Sequence, residues 1–201
     1  MIGSHDSFTY MVARNKIVNT FTGFWRCQDK TIKEQYDLGV RVFDIRVNKD
    51  IQEGKFTWQV SHGHAKFNQN FVTLNAICSY FKKQYPEAYL RIVLESGADD
   101  EETIEKFKTQ ATKAFKNYKS ILWCIVIKKP WTTLYIGKAF DTKDYSCHLF
   151  NWDVNKDLWE NIKSFEISSY SIKSYAKKHN PQITKEMIDD PNVLYFMDYV
   201  V

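Results

Sequence analysis

The sequence predicts an α/β fold in a single compact domain, an irregular or partly open TIM-type (β/α) barrel. Three observations carry this prediction. Apolar, β-rich segments alternate with helical segments, which is typical of a mainly parallel sheet covered by helices. Six or more such strands in one domain indicate a barrel. The 201 residues lie at the low end of the length of such barrels, and no linker or repeat divides the chain.

The predicted strands are rich in β-branched and aromatic residues and follow a short apolar stretch at the N-terminus. They are 40–47 (VRVFDIRV), 56–62, 89–96, 120–127, 132–140 and 192–200. Gly97 directly follows the third of them, and such a residue commonly marks the end of a strand.

The predicted helices lie between these strands and carry end signals. Gly39 ends a short helix over 31–39, and Pro86 directly follows a helix over 71–85. The helix over 99–119 begins with acidic residues, which the positive end of the helix dipole favours. The remaining helical segments are 153–165, 171–179 and 183–190.

Composition excludes several classes of protein. Apolar residues make up 44% of the chain, enough for a sizeable core, and no run approaches the roughly 20 residues of a membrane span. The net charge of +4 is mild and dispersed, which argues against nucleic acid as a partner. The four cysteines are widely spaced and predict no zinc site. We expect reduced, buried thiols, with two disulfides as the alternative.

Polar side chains stand at the carboxyl ends of the predicted strands. These residues are His5, Asp6, Asp44, Arg46, His62, Glu95 and Asp198. In a parallel barrel these ends meet around one mouth, where such folds place their sites. Two imidazoles suit paired general base and general acid catalysis, and an arginine fork suits a phosphate.

Four motifs in order along the chain carry a family resemblance. They are GSHDSFTY at the start, TIKEQYDLGVRVFDIRV after Gln28, VSHGH, and FMDY near the end. Together they resemble the catalytic X-domain of phosphatidylinositol-specific phospholipases C, in its metal-independent bacterial type. The resemblance spans the chain, so we expect residues 1–201 to form one such domain, and it implies a monomer.

The resemblance implies a phosphodiesterase of the lyase type. His5 would take the proton from the inositol 2-hydroxyl, whose oxygen attacks the neighbouring phosphorus. His62 would protonate the departing diacylglycerol oxygen, leaving a cyclic inositol phosphate. Asp198 would orient His5. Asp6 would pair with His62 or Arg46, and Asp44 would help to hold the network.

The resemblance also implies that no metal cofactor is needed. Calcium-dependent members have Glu-x-Asp where this chain has Asp44 and Arg46. A fixed guanidinium repels Ca²⁺ and can itself stabilise charge on the reacting phosphate. Glu95 departs from the lysine of bacterial members; it either pairs with Arg46, binds a sugar hydroxyl, or leaves a weak cation site with Asp6 and Asp44. Lys138 falls near a basic residue that contacts the head group in the family.

The implied partner is a phospholipid or another phosphodiester, met at a membrane surface. In secreted members a tryptophan near the position of Trp25 dips into the membrane, and Phe21 and Phe24 lie beside it here. The N-terminus lacks a basic start followed by an apolar stretch, which favours a cytoplasmic location, whereas the exported bacterial members favour secretion.

Two other functions stay open. The same chemistry could act on a different phosphodiester, either a soluble one or a glycolipid head group. The scaffold could also serve as a catalytically silent lipid- or protein-binding module. The presence of His5, His62, Arg46 and Asp198 together argues against the silent module.

Overall fold

The computed structural model describes residues 1–96, 100–128, 132–137, 141–144, 172–180, 189 and 193–200. The predicted helix over 153–165 lies outside these residues, as does residue 138 in the predicted strand over 132–140. Of the predicted helix over 183–190, only residue 189 is described.

Within the described residues, nine strands form one sheet. They are β1 (Ile2–Ser4), β2 (Val40–Gln52), β3 (Lys55–His62), β4 (Ala65–Phe71), β5 (Tyr89–Ser96), β6 (Leu122–Ile127), β7 (Thr132–Ile136), β8 (Asp141–Asp144) and β9 (Val193–Met197). The order is β7-β6-β5-β2-β1-β9-β8, with β3 and β4 branching from β2, and no pairing joins β7 to β8. The described sheet is therefore an open one, and it agrees with the expected partly open barrel.

Five α-helices lie in the described residues. They are α1 (Lys16–Thr20), α2 (Ile32–Asp37), α3 (Leu74–Gln84), α4 (Glu101–Tyr118) and α5 (Ile172–His179), with one 3₁₀ turn over Thr22–Phe24. Thr31 and Glu34 form a capping box at the start of α2, and Thr73 and Asp100 cap α3 and α4. None of the described helices has the length and apolar character that a membrane span requires.

The sheet is mainly parallel, as expected, but two of the predicted strands run antiparallel to a neighbour. β1, β2, β5, β6, β8 and β9 pair in parallel, but β3 runs antiparallel to β2, and β7 antiparallel to β6. Only Glu53 and Gly54 separate β2 from β3, and both have positive φ angles, as tight hairpin turns require. Two residues cannot make the crossover that a parallel pair needs.

Side chains on the two faces of the sheet belong to two different clusters of buried residues. Phe43, Ile45 and Val47 of β2 belong to the larger core cluster, which includes buried residues of α3 and α4. Val42 belongs to a second cluster with Val93 of β5 and with residues of β6 and β9. Because side chains alternate along a strand, Asp44 and Arg46 share the inner face with Val42.

One edge of β2 has a gap between two partners. β1 pairs with residues 40–43 of this strand, and β3 pairs with residues 47–52. In the interval between them, Ser7 takes the place of a partner strand. Its backbone N–H donates to the carbonyl oxygen of Asp44 at 3.0 Å, and the Asp44 N–H donates to its hydroxyl at 3.0 Å. The turn after β1 is thereby fixed beside Asp44 and Arg46.

Three of the four cysteines are described, and all are buried free thiols, as expected: Cys27, Cys78 and Cys124. Burial raises the pKa of Cys78 to about 12, which makes this thiol unreactive. Cys147 lies outside the described residues.

Candidate active site

The fold brings most of the predicted site residues into one cluster at the carboxyl ends of the parallel strands. His5 directly follows β1, Asp198 directly follows β9, and Glu95 lies near the end of β5. His62 also lies in this cluster, although its strand runs antiparallel to β2. It is the last residue of β3, which returns along the far half of β2.

The partners of His5 define its protonation. Its Nδ1 lies 2.8 Å from a carboxylate oxygen of Asp198, which can only accept, so Nδ1 carries the proton. Arg46 Nη2, which can only donate, lies 2.6 Å from His5 Nε2. The neutral ring therefore has its lone pair at Nε2, where it accepts from Arg46, and this is the tautomer that a general base needs.

The charges around His5 act in opposite directions. Burial lowers the pKa of this imidazole, and Arg46 lowers it further, but Asp6 and Asp198 raise it. The carboxylates prevail, so the pKa lies above 6.5. The raised pKa makes His5 a stronger base than a free imidazole.

His62 is held by the main chain rather than by a carboxylate. Its Nδ1 lies 2.6 Å from the backbone carbonyl oxygen of Trp25, so Nδ1 carries a proton. Its Nε2 lies 3.4 Å from Oδ2 of Asp6. The Nε2 of His5 lies at the same distance from the same oxygen. Asp6 therefore stands between the two imidazoles.

Asp6 has an unusual backbone that places its side chain there. Its φ angle of 45° lies in the left-handed region, where a residue other than glycine is uncommon. The Asp6 N–H donates to Oδ2 of Asp44 at 3.3 Å, and Thr9 N–H donates to the Asp6 carbonyl at 3.0 Å. These bonds stabilise the turn that aims the carboxylate between the rings.

Arg46 joins three carboxylates through its guanidinium. Nε lies 2.6 Å from Oδ1 of Asp6 and 3.1 Å from Oδ2 of Asp44, and Nη1 lies 3.0 Å from Oε2 of Glu95. Burial lowers the pKa of this group, but the three carboxylates outweigh burial and raise it well above its usual value. The guanidinium is a permanent charge beside His5.

Two of these carboxylates are shared with a second cation. Arg91 Nη1 donates to Oδ1 of Asp44 at 2.8 Å, and Lys128 Nζ donates to Oε1 of Glu95 at 2.6 Å. Burial raises the pKa of both carboxyl groups, but their cationic partners outweigh it, so both pKa values lie below the usual range. Arg91 was not predicted as a site residue, because no motif marks it. Its inward position on β5, four residues before Glu95, is the signal that could have found it.

The Gln28 side chain hydrogen-bonds to the backbone at the ends of β1 and β9, next to His5 and Asp198. Its Nε2 donates to the carbonyl oxygens of His5 at 3.0 Å and Met197 at 2.8 Å. Its Oε1 accepts from Val200 N–H at 3.1 Å. The side chain is fully buried, so its amide has no access to water as an alternative partner.

One group of potential metal ligands occurs among the described residues. The donor atoms of His5, Asp6 and Cys27 lie within 4.8 Å of one another. Arg46 contacts both His5 and Asp6 of this group, so a cation bound there would meet the guanidinium at close range.

Trp25 differs from the expectation of a membrane contact. Its indole is 8% exposed, packs on Phe67 and donates from Nε1 to the Val18 carbonyl oxygen at 2.9 Å. A ring held on both its face and its N–H cannot insert into a membrane. Of the other expected residues, Phe21 is 57% exposed, whereas the side chain of Phe24 and all of Lys138 lie outside the description.

Known structures share this architecture. The phosphatidylinositol-specific phospholipase C from Listeria monocytogenes superposes with a TM-score of 0.58 at 14% identity, covering 100% of this chain and 88% of that one. The Staphylococcus aureus enzyme of the same name, described in connection with membrane binding, gives 0.55 at 16% identity, covering 99% and 85%. A single-site variant of the latter gives 0.56 at 17%, covering 99% and 84%.

No protein-family model and no curated protein matches the sequence. The structural likeness therefore establishes the fold, an open barrel of the type found in these bacterial phospholipases.

Proposed function

We propose that this chain, which has the fold of the bacterial phosphatidylinositol-specific phospholipases C, cleaves phosphatidylinositol or a related glycerophosphoinositol by internal attack. One observation carries the proposal. The Nε2 atoms of His5 and His62 both lie 3.4 Å from the same Asp6 oxygen, and the Arg46 guanidinium contacts the first of them. The proposed base and the proposed acid thus lie on either side of one carboxylate, with a fixed cation in contact with the base.

His5 is the general base of the proposed reaction. Its Nε2 lone pair takes the proton of the inositol 2-hydroxyl, and the oxygen attacks the adjacent phosphorus. Asp198 stabilises the imidazolium that forms, because it already accepts from Nδ1. Arg46 stabilises the negative charge that builds up on the phosphate oxygens.

His62 is the general acid. In its protonated form, Nδ1–H donates to the Trp25 carbonyl and Nε2–H points to the site, where the departing diacylglycerol oxygen takes the proton. The products are diacylglycerol and a cyclic inositol phosphodiester. Proton count is preserved, since His5 gains the proton that the hydroxyl loses and His62 supplies the one that the leaving group needs.

The reaction needs no divalent cation in this proposal. The three carboxylates that could form a cation site, Asp6, Asp44 and Glu95, all pair with Arg46. The guanidinium supplies the positive charge that a bound cation would otherwise supply.

We propose that the substrate is met at a membrane through the segment around α1. Val12, Ile17 and Phe21 of this segment are 65%, 72% and 57% exposed. Apolar side chains of this kind enter the lipid interface, and the Trp25 indole beneath them supports the segment from within.

Phosphorus NMR of the purified protein with phosphatidylinositol in mixed micelles tests the reaction. We expect a cyclic inositol phosphate signal that is unchanged by EDTA. His5→Ala and His62→Ala should each lower turnover by roughly 10²–10⁴-fold, as loss of a general base or acid does. Unchanged turnover in both variants would contradict the proposal. A signal lost on chelation would contradict only the role of Arg46 in place of a metal.

A further inference from the structure

Within the described part of the chain, Arg46 is the one cation in contact with all three carboxylates Asp6, Asp44 and Glu95. Its catalytic value depends on a positive field at the phosphate. Three carboxylates nevertheless contact it, and the side chains of those carboxylates are at most 2% exposed, so water screens them poorly. Taken alone, this set would present a net negative surface to an anionic substrate.

The structure places a second cation on two of the three carboxylates. Glu95 lies between Arg46 Nη1 at 3.0 Å and Lys128 Nζ at 2.6 Å, one on each oxygen. Asp44 lies between Arg46 Nε at 3.1 Å and Arg91 Nη1 at 2.8 Å, again one on each oxygen. The additional cations come from the inner face of β5 and from the residue that follows β6.

The charges of the described cluster then nearly cancel. The four carboxylates are Asp6, Asp44, Glu95 and Asp198, and the three permanent cations are Arg46, Arg91 and Lys128. One negative charge remains, and protonation of a single histidine, the acid of the proposed reaction, removes it. The cluster becomes neutral in the protonation state in which it would act.

We infer that Lys128 and Arg91 are positioning residues that offset the carboxylates holding Arg46, so that its guanidinium keeps a positive field toward the substrate phosphate. This inference rests on the proposed function. Glu95 holds Arg46 in place, and Lys128, which directly follows the neighbouring strand β6, supplies the second cation.

A double-substitution cycle on Glu95 and Lys128 tests the inference. Lys128→Met leaves Glu95 with one cation and adds a net negative charge to the mouth. Glu95→Gln with Lys128→Met removes both charges and returns the total to that of the parent protein. If Lys128 acts by offsetting the charge of Glu95, then Glu95→Gln restores what Lys128→Met has lost. If the two substitutions instead cause unrelated structural losses, their effects add up in the double variant.

The pKa of His5, measured by NMR of labelled imidazole, is the readout that does not need turnover. Arg46 bridges Glu95 and His5, so the pKa of His5 responds to charge at Glu95. Lys128→Met should raise it by about half a pH unit or more, and the double variant should return it to within about 0.2 units of the parent. Lys49→Met is the matched control, since it removes a lysine from the Lys49–Asp100 pair at 2.8 Å.

Turnover on phosphatidylinositol gives the second readout. Lys128→Met should lower kcat/KM about tenfold, and the double variant should recover to within about threefold of the parent. An unmoved His5 pKa with a loss that Glu95→Gln does not rescue would overturn the inference, because it would mean that Lys128 contacts the substrate directly. If the parent protein cleaves no phosphodiester while the His5 pKa follows the cycle, the proposed function fails and the charge offset stands.

Discussion

The Nδ1–H of His62 donates to the backbone carbonyl oxygen of Trp25 at 2.6 Å. This tryptophan thus serves the candidate site through its main chain, while its indole packs inside the protein on Phe67. The segment between β1 and α2 is accordingly part of the site, because it fixes the ring of the proposed general acid. Any substitution that shifts Trp25 should also shift His62.

Trp25→Phe separates the packing role from a membrane role. The phenyl ring retains most of the apolar contact but loses the hydrogen bond to Val18. We expect the free energy of unfolding to fall by about 1–2 kcal/mol, with vesicle binding unchanged. Urea denaturation and vesicle sedimentation check the two halves. A large loss of vesicle binding with unchanged stability would contradict this prediction and show that the indole contacts the membrane.

Membrane contact should instead depend on Ile17 and Phe21. Replacing both by aspartate should weaken binding to anionic phospholipid vesicles at least tenfold, since each exposed apolar side chain contributes roughly 1.5–3 kcal/mol when buried in lipid. Ile136→Asp is the matched control, because this isoleucine is 61% exposed on β7. Equal effects of the control and the double variant would contradict a localised contact. Sedimentation with sucrose-loaded vesicles measures the affinity.

Asp198→Asn should move the pH profile of activity. Asp198 raises the pKa of His5, and the base acts only when neutral, so this carboxylate moves the acidic limb of kcat/KM to higher pH in the parent protein. Without the carboxylate the pKa of His5 falls, and the limb moves to lower pH while the maximal rate drops. A limb that stays in place would show that another group controls it. Initial rates between pH 4.5 and 9 give the profile.

Arg46→Asp should make the activity depend on a bound metal ion. The substitution removes the cation and leaves a fourth carboxylate beside Asp6, Asp44 and Glu95, an oxygen set that suits calcium. We expect activity in EDTA to fall by roughly 10²–10³-fold, as for loss of an electrostatic stabiliser, with partial recovery in millimolar Ca²⁺. A variant that stays fully active in EDTA would disprove the role assigned to Arg46.

Gln28→Ala should destabilise the fold. The substitution leaves two strand-end carbonyls and one N–H without their buried partner, at a cost of about 2–4 kcal/mol in the free energy of unfolding. Gln52→Ala, at the exposed end of β2, is the control and should change stability by less than about 0.5 kcal/mol. Urea denaturation followed by tryptophan fluorescence compares them. Equal stability of the two variants would refute the bridging role.

The sequence predicted the parallel strands of the sheet because their signals are local. A segment such as VRVFDIRV is rich in β-branched residues and buried along most of its length, and Gly39 marks where the preceding helix stops. β4 escaped prediction because the polar run over 68–70 interrupts the alternation in AKFNQNF, and no Pro or Asn-Gly turn marks its ends. The direction of β3 depends on the φ angles at Glu53 and Gly54, which composition does not reveal.

The candidate site was predictable only where a motif marked it. His5, Asp6, Asp44, Arg46, His62, Glu95 and Asp198 do lie together, and their catalytic roles remain proposals. Arg91 lies on β5 and Lys128 directly follows β6, both outside the family motifs, and only the sheet register places them against Asp44 and Glu95. The burial of Trp25 arises from the packing of a distant strand, which carries Phe67.

The inner and outer faces of β2 make this strand intolerant of any change in length. A single deletion between Val40 and Asp44 would turn Asp44 and Arg46 toward the helices and bring Phe43 and Ile45 into the mouth. One deletion would therefore disrupt both the packing of the core and the arrangement of the reacting groups. The length of this strand cannot change while either is retained. The hairpin loop at Glu53 and Gly54, beyond the last pair with β3, is where this part of the chain can gain or lose residues during evolution.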